Sequence, residues 1–101
     1  MILSFGDKKI RDVCENTDIA EQMFGITIAT QIKNRISDLL SVNTFNEFPF
    51  PINRLSKTLI EIKLDLEYSL TVEILREDLN KEYEESRIKV VAINKANERS
   101  S

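Results

Sequence analysis

The sequence predicts an α+β fold: an N-terminal strand, two helices, and then a three-stranded antiparallel meander, with the helices packed on one face of the sheet. Three observations predict it. Apolar side chains fill the even positions from Ile60 to Ile74 with mostly polar ones between them, the period-2 signature of chain with one buried face. Helical periodicity lies wholly upstream, so the apolar face of the sheet has its cover ready. A β-branched segment, Ile88-Lys89-Val90-Val91-Ala92-Ile93, closes the chain as a central strand.

Met1-Ile2-Leu3-Ser4-Phe5 reads as the first strand, because it has neither the basic start nor the long apolar core of a signal peptide. Gly6 allows a turn and Asp7 suits a helix N-cap; Ile10, Val13 and Cys14 then recur at helical spacing. Cys14 sits on that apolar stripe and reads as a small core residue ahead of a reactive thiol. Asn16-Thr17-Asp18 interrupts the pattern, with Thr17 or Asp18 as the next cap. Phe24, Ile28, Ile32, Ile36 and Leu40 then repeat every fourth residue. Gly25 costs about 1 kcal/mol relative to alanine inside a helix, so the region is one interrupted helix or two meeting there. Gln31, Lys33, Asn34, Arg35 and Asp38 make its polar face.

Pro49 and Pro51 stop any helix after a turn capped by Thr44. Phe45, Phe48 and Phe50 read as a seal between helices and sheet ahead of stacking platforms for bases. The alternating run is too long for one typical strand, so it folds into a pair at about 59–66 and 68–75, reversing near residues 65–68. Residues 76–87 are expected to form a charged loop, and the polar tail, 95–101, to fray.

At 101 residues the chain fits a single domain, 1–101. No apolar run reaches the ~20 residues that span a bilayer, so no membrane association is expected. One cysteine makes no internal disulfide, which fits a reducing cytoplasm. The absence of histidine excludes Ser–His–Asp and Cys–His triads and leaves a zinc site few soft ligands. The net charge of −3 is unevenly spread. Residues 1–57 balance seven bases against seven acids, whereas residues 58–101 hold seven against ten. Five of those ten, Glu77, Asp78, Glu82, Glu84 and Glu85, fall in one stretch, which lacks the alternating ligand pattern of a calcium loop. An acidic protein lacks the general pull towards phosphate that most nucleic-acid binders use.

Several stretches together resemble the RelE/HigB-like toxins of bacterial toxin–antitoxin pairs, closest to the HigB branch of plasmid-maintenance killer proteins. These are the opening Ile2-Leu3-Ser4-Phe5, the short helix Asp7-Lys8-Lys9-Ile10-Arg11-Asp12-Val13-Cys14-Glu15, and the later Lys33-Asn34-Arg35-Ile36-Ser37-Asp38-Leu39. The turn Asn46-Glu47-Phe48-Pro49, the hairpin strand Tyr68-Ser69-Leu70-Thr71-Val72-Glu73 and the closing strand continue the likeness over nearly the whole chain. The resemblance implies a toxin that enters the ribosomal A site and cuts messenger RNA until a helix-turn-helix antitoxin binds it. It implies no metal and no cofactor: the RNA's 2′-hydroxyl attacks the adjacent phosphate while basic side chains position it, stabilise charge and move protons.

Carried onto this chain, the resemblance points to Arg54, Lys57, Tyr68 and Arg76 as the catalytic set, with Lys63, Arg87 and Lys89 nearby. Tyr68 has two readings, a phenolic donor and a core or turn residue. The family's arginine after the hairpin tyrosine is Ser69 here, and Lys95-Ala96-Asn97 replaces the aromatic or histidine past the last strand. Lys63 alternates with the buried positions and is expected to face away from the helices beside Glu61 and Asp65. The alternative implied by these departures is a toxin-fold binding module that associates with an antitoxin or another partner protein without cutting RNA.

Overall fold

A computed structural model describes residues 1–76 and 86–95. Among them the order is β1 (Ile2–Phe5), α1 (Lys8–Glu15), α2 (Thr17–Phe24), α3 (Ile26–Ser41), β2 (Asn53–Arg54), β3 (Leu59–Lys63), β4 (Tyr68–Arg76) and β5 (Arg87–Lys95). The α+β class stands, and the finer layout differs from the expectation. There are three helices rather than two, and the sheet is mixed and five-stranded, in the order β1-β5-β4-β3-β2. β1 pairs with β5 in parallel and every other pairing is antiparallel. The expected meander is therefore its centre, flanked by β1 on one edge and the two-residue β2 on the other.

Local chemistry sets the helix boundaries. Asp7 caps α1 by accepting from the Ile10 N–H at 2.8 Å. Asn16, rather than Thr17 or Asp18, caps α2: its side chain accepts from Asp18 and Ile19 at 3.0 and 3.4 Å. Thr17 and Asp18 are already helical, whereas Asn16 keeps the extended backbone a cap needs. Gly25 separates α2 from α3 with φ 87° and ψ 168°, a backbone region that is essentially glycine's alone. Of the two readings of that region, two helices is the observed one.

One apolar core lies between the helices and one face of the sheet. Ile60, Ile62, Leu64, Leu70, Val72, Ile74, Ile88 and Val90 meet Val13 of α1, Ala20 of α2, and Ile28, Ala29, Ile32 and Leu39 of α3. Each large aliphatic side chain sealed there contributes about 2 kcal/mol. Phe45 and Phe48 seal the junction after α3, while Phe50 is partly exposed beneath the Arg35 guanidinium, 3.5 Å from its ring centroid. Arg35 is accordingly not a freely solvated member of α3's polar face; it also pairs with Asp38 at 3.3 Å. Met1 is buried and its nitrogen donates to the carbonyls of Leu39, at 2.9 Å, and Val42 at the end of α3.

The hairpin reverses where expected, but β3 ends at Lys63 rather than near 66. Asp65 stops it: its carboxylate accepts from the Glu67 and Tyr68 N–H groups at 2.7 and 2.8 Å. The expected charged loop at 76–87 is bounded by strand residues, since Arg76 ends β4 and Arg87 begins β5. The tail expected to fray from 95 instead has Lys95 in β5, paired with Tyr68. The acidic stretch at 77–85 and the rest of the tail, 96–101, lie outside the described residues. No helix among the described residues is long and apolar enough to cross a membrane.

Candidate functional site

Three of the four predicted site residues converge on one end of the sheet. The β2–β3 turn is tight: the N–H groups of Leu55 and Ser56 both donate to the Leu59 carbonyl, at 2.9 and 3.3 Å. The Ser56 hydroxyl accepts from Thr58 and Leu59 at 3.3 and 3.1 Å. These bonds fix the backbone on both sides of Lys57. The Thr58 carbonyl accepts from Ile74 at 2.7 Å, which sets this turn beside the end of β4, two residues before Arg76. Arg54 precedes the turn on β2.

A fourth cation completes the group. β4 and β5 slip register between Ile74 and Arg76, and the slip sets Arg76 directly opposite Arg87. Arg54, Lys57, Arg76 and Arg87 are all exposed. Among the described residues none of them forms an ion pair, whereas the next cation inward, Lys89, is 3.6 Å from Glu73. The register sets Arg54 beside Ile60 on the helix-facing side and Arg87 beside Ile2 on the other, so these exposed cations surround the end of the sheet, where a polyanion would replace water and counterions.

Tyr68 does not belong to this group. It begins β4, eight residues before Arg76, which is ~26 Å along an extended strand. Its ring meets Phe24 edge-on at 5.5 Å, and Lys95 Nζ lies 6.0 Å from it. It is half-buried, and of its two readings the packing fits the core residue.

The face of the sheet away from the helices carries a second arrangement. Glu61, Ser69 and Thr71 are buried there at 8, 7 and 6% exposure. The Ser69 hydroxyl donates to Glu61 Oε2 at 3.1 Å and the Asn53 amide to Oε1 at 3.3 Å. Alongside, the Asn94 amide donates to Thr71 Oγ1 at 2.9 Å. Ser69, where the resemblance expects an arginine, is thus committed to holding a carboxylate. Lys63 is exposed on this face as expected. It lies between a groove of about 280 Å³ that includes Asp65, Glu67 and Tyr68 and one of about 210 Å³ that includes Arg35 and Phe50. Both grooves reach Glu61, so their charge is mixed.

Cys14 is half-buried against the core: burial, with the neighbouring Glu15 charge second, pushes its thiol up to about 12. Among the described residues no cluster of His, Cys, Asp and Glu is arranged to hold a metal ion.

Sequence reasoning alone ranks Arg87 with several nearby cations; the register singles it out. A signal existed, because antiparallel neighbours joined by one connection begin pairing at its two ends, here Arg76 and Arg87. The Asn53–Glu61–Ser69 bonds had no such signal, since alternation gives the face and not the cross-strand partner. No family model matches this sequence, no curated protein matches it, and no solved structure matches its fold.

Proposed function

We propose that this chain is the toxin of a bacterial toxin–antitoxin pair, a RelE/HigB-like protein of the cytoplasm that cuts messenger RNA on the ribosome and is silenced by a helix-turn-helix antitoxin. The observation that carries this reading is the group of four cations, Arg54, Lys57, Arg76 and Arg87, at one end of the sheet, unpaired among the described residues. The order of strand, helices and meander and the resemblances in sequence support it. Such a site suits RNA cleavage by the RNA itself. The 2′-hydroxyl gives its proton to water as its oxygen attacks the adjacent phosphorus, a 2′,3′-cyclic phosphate forms as the bond to the 5′-oxygen breaks, the 5′-oxygen takes a proton from water, and the guanidinium and ammonium groups offset charge on the phosphoryl oxygens. A single-stranded backbone lying across four cations gives a binding constant that falls with salt at a log–log slope of about −3.

The second reading, a binding module that associates with a partner without cutting RNA, is favoured by two specific observations. Tyr68 packs against Phe24 at the far end of β4, and Ser69 is held by Glu61. Inducing the chain alone in bacteria separates the two. The toxin reading expects arrested growth with cuts inside translated messages. Normal growth with intact messages at good expression contradicts it and leaves the module.

A further inference from the structure

The groove of about 210 Å³ beside β2 combines features that the cationic end lacks. Phe50 and Pro51 supply apolar wall, and Arg35, Asn53, Glu61 and Lys63 supply polar rim. Its volume is below the ~300 Å³ at which pockets for drug-sized ligands begin, so it suits a single flat ring system. Glu61 is 8% exposed, and the Ser69 hydroxyl and the Asn53 amide donate to its two oxygens at 3.1 and 3.3 Å. A carboxylate oxygen accepts more than one hydrogen bond, so these contacts fix the group without exhausting it. Arg35 is fixed too: its guanidinium lies 3.5 Å from the Phe50 ring centroid and its Nε faces Asp38 at 3.3 Å. A guanidinium carries further donors on both Nη atoms. Fixed donors and a fixed acceptor around a small apolar slot discriminate among bases, which phosphate contacts do not.

We propose that this groove takes a guanine base of the RNA that crosses the cationic end, with Glu61 and Lys63 as the residues that specify it. The inference rests on the RNA-directed reading of that end. Asn53 lines the groove and Arg54 is the next residue of β2, so a strand held at Arg54 has the groove beside it. The Glu61 carboxylate accepts from the N1–H and 2-amino groups of guanine, while Lys63 and Arg35 donate to its O6 and N7 acceptors. No other base offers a carboxylate two adjacent donors. Adenine and cytosine set a ring-nitrogen acceptor beside the amino group, and uracil flanks its N3–H with carbonyls, so each would face Glu61 with an acceptor. The groove towards Tyr68 shares Glu61 and Lys63 but adds Asp65 and Glu67, whose carboxylates repel an RNA backbone.

Dye-labelled uridine hexamers, with one central uridine replaced by guanosine, inosine or adenosine, test this by fluorescence anisotropy on the full chain. Guanosine is expected to bind at least about tenfold more tightly than adenosine, the discrimination of one bidentate contact. Inosine, which lacks the 2-amino group, is expected to bind roughly fivefold more weakly than guanosine. Glu61→Gln, which keeps an acceptor for Ser69, and Lys63→Ala, at an exposed position, are each expected to reduce the guanosine preference at least about threefold. The preference is expected to persist as salt rises, because base contacts release no counterions, while overall affinity falls. Equal affinity for the guanosine and adenosine hexamers overturns the proposal and leaves the cutting of messages in cells untouched. So does a guanosine preference that inosine and Lys63→Ala both leave intact. Failure to bind any hexamer overturns it together with the RNA-directed reading. Guanosine preference in a chain that leaves cellular messages intact supports it and removes only the cutting.

Discussion

Arg76 and Arg87 stand opposite each other on neighbouring strands, two exposed guanidinium groups with no described acid between them. Like charges in directly opposite positions weaken a sheet, so the pair works against the fold that presents it. Arg87→Glu therefore separates stability from function. It is expected to stabilise the protein by about 0.5 kcal/mol in chemical denaturation, by turning a repulsive pair into an attractive one. The same change is expected to weaken RNA binding and make the salt slope shallower by about 0.7, the contribution of one phosphate contact on a single strand. Loss of stability with unchanged RNA affinity would mean that Arg87 serves the sheet and not a ligand.

Glu61 and Ser69 form the other polar relationship across the sheet, and its expected signature is coupling. Glu61→Ala strands the buried Ser69 hydroxyl, removes the partner of the exposed Asn53 amide and is expected to cost about 2 kcal/mol. Ser69→Ala is expected to cost about 1 kcal/mol, and the double variant less than the two costs added. Strict additivity in urea unfolding would show that the 3.1 Å contact contributes nothing.

Much of this architecture is legible in the order of the residues, and the exceptions have physical causes. The alternation of Ile60, Ile62, Leu70 and Val72 reports a local geometric rule, so residue order alone reveals the hairpin. Asp7 is readable as a cap for the same reason. Asn16, Thr17 and Asp18 are all competent caps, and propensity does not choose among three in a row. The place of β1 beside β5 depends on contacts between residues more than eighty positions apart, and no local pattern records it. The candidate site divides in the same way. The types and chain positions of Arg54, Lys57 and Arg76 are visible in the sequence, as is the strand at about 68–75 that separates Tyr68 from Arg76, but the cross-strand bonds that Glu61 makes with Asn53 and Ser69 are not.

Gly25 tests the helix break. Its φ of 87° and ψ of 168° suit glycine alone, yet a Cβ added there meets nothing within 4 Å. Gly25→Ala therefore isolates backbone strain, with an expected loss of about 2 kcal/mol. In a domain of this size that lowers Tm by roughly 10 °C. An unchanged Tm would mean that the α2–α3 junction relaxes freely into another backbone conformation.

Cys14 gives a pH signature. Folding raises its pKa, from 9.0 to about 12, because the buried site disfavours the thiolate. The unfolded chain therefore loses this proton at lower pH than the folded one. The contribution to stability is complete below pH 9 and is lost as pH rises towards 12. Below pH 9, a thiol reagent is expected to label the half-buried Cys14 at least about tenfold more slowly than a free cysteine, because little of it is thiolate. Rapid labelling of the folded protein at about pH 8 would place the thiol outside the core.

The central claim is that the cationic end of the sheet, and not the Tyr68 end, acts on RNA. Mapping the 5′ ends of cellular messages after inducing the chain alone tests it most directly, with Arg54→Ala, Lys57→Ala, Arg76→Ala, Arg87→Ala and Tyr68→Phe compared at equal soluble levels. The account predicts cuts within translated messages from the unchanged chain and from Tyr68→Phe, with each alanine change sharply reducing them. Intact messages from the unchanged chain, or cuts abolished by Tyr68→Phe and indifferent to all four alanine changes, would contradict it.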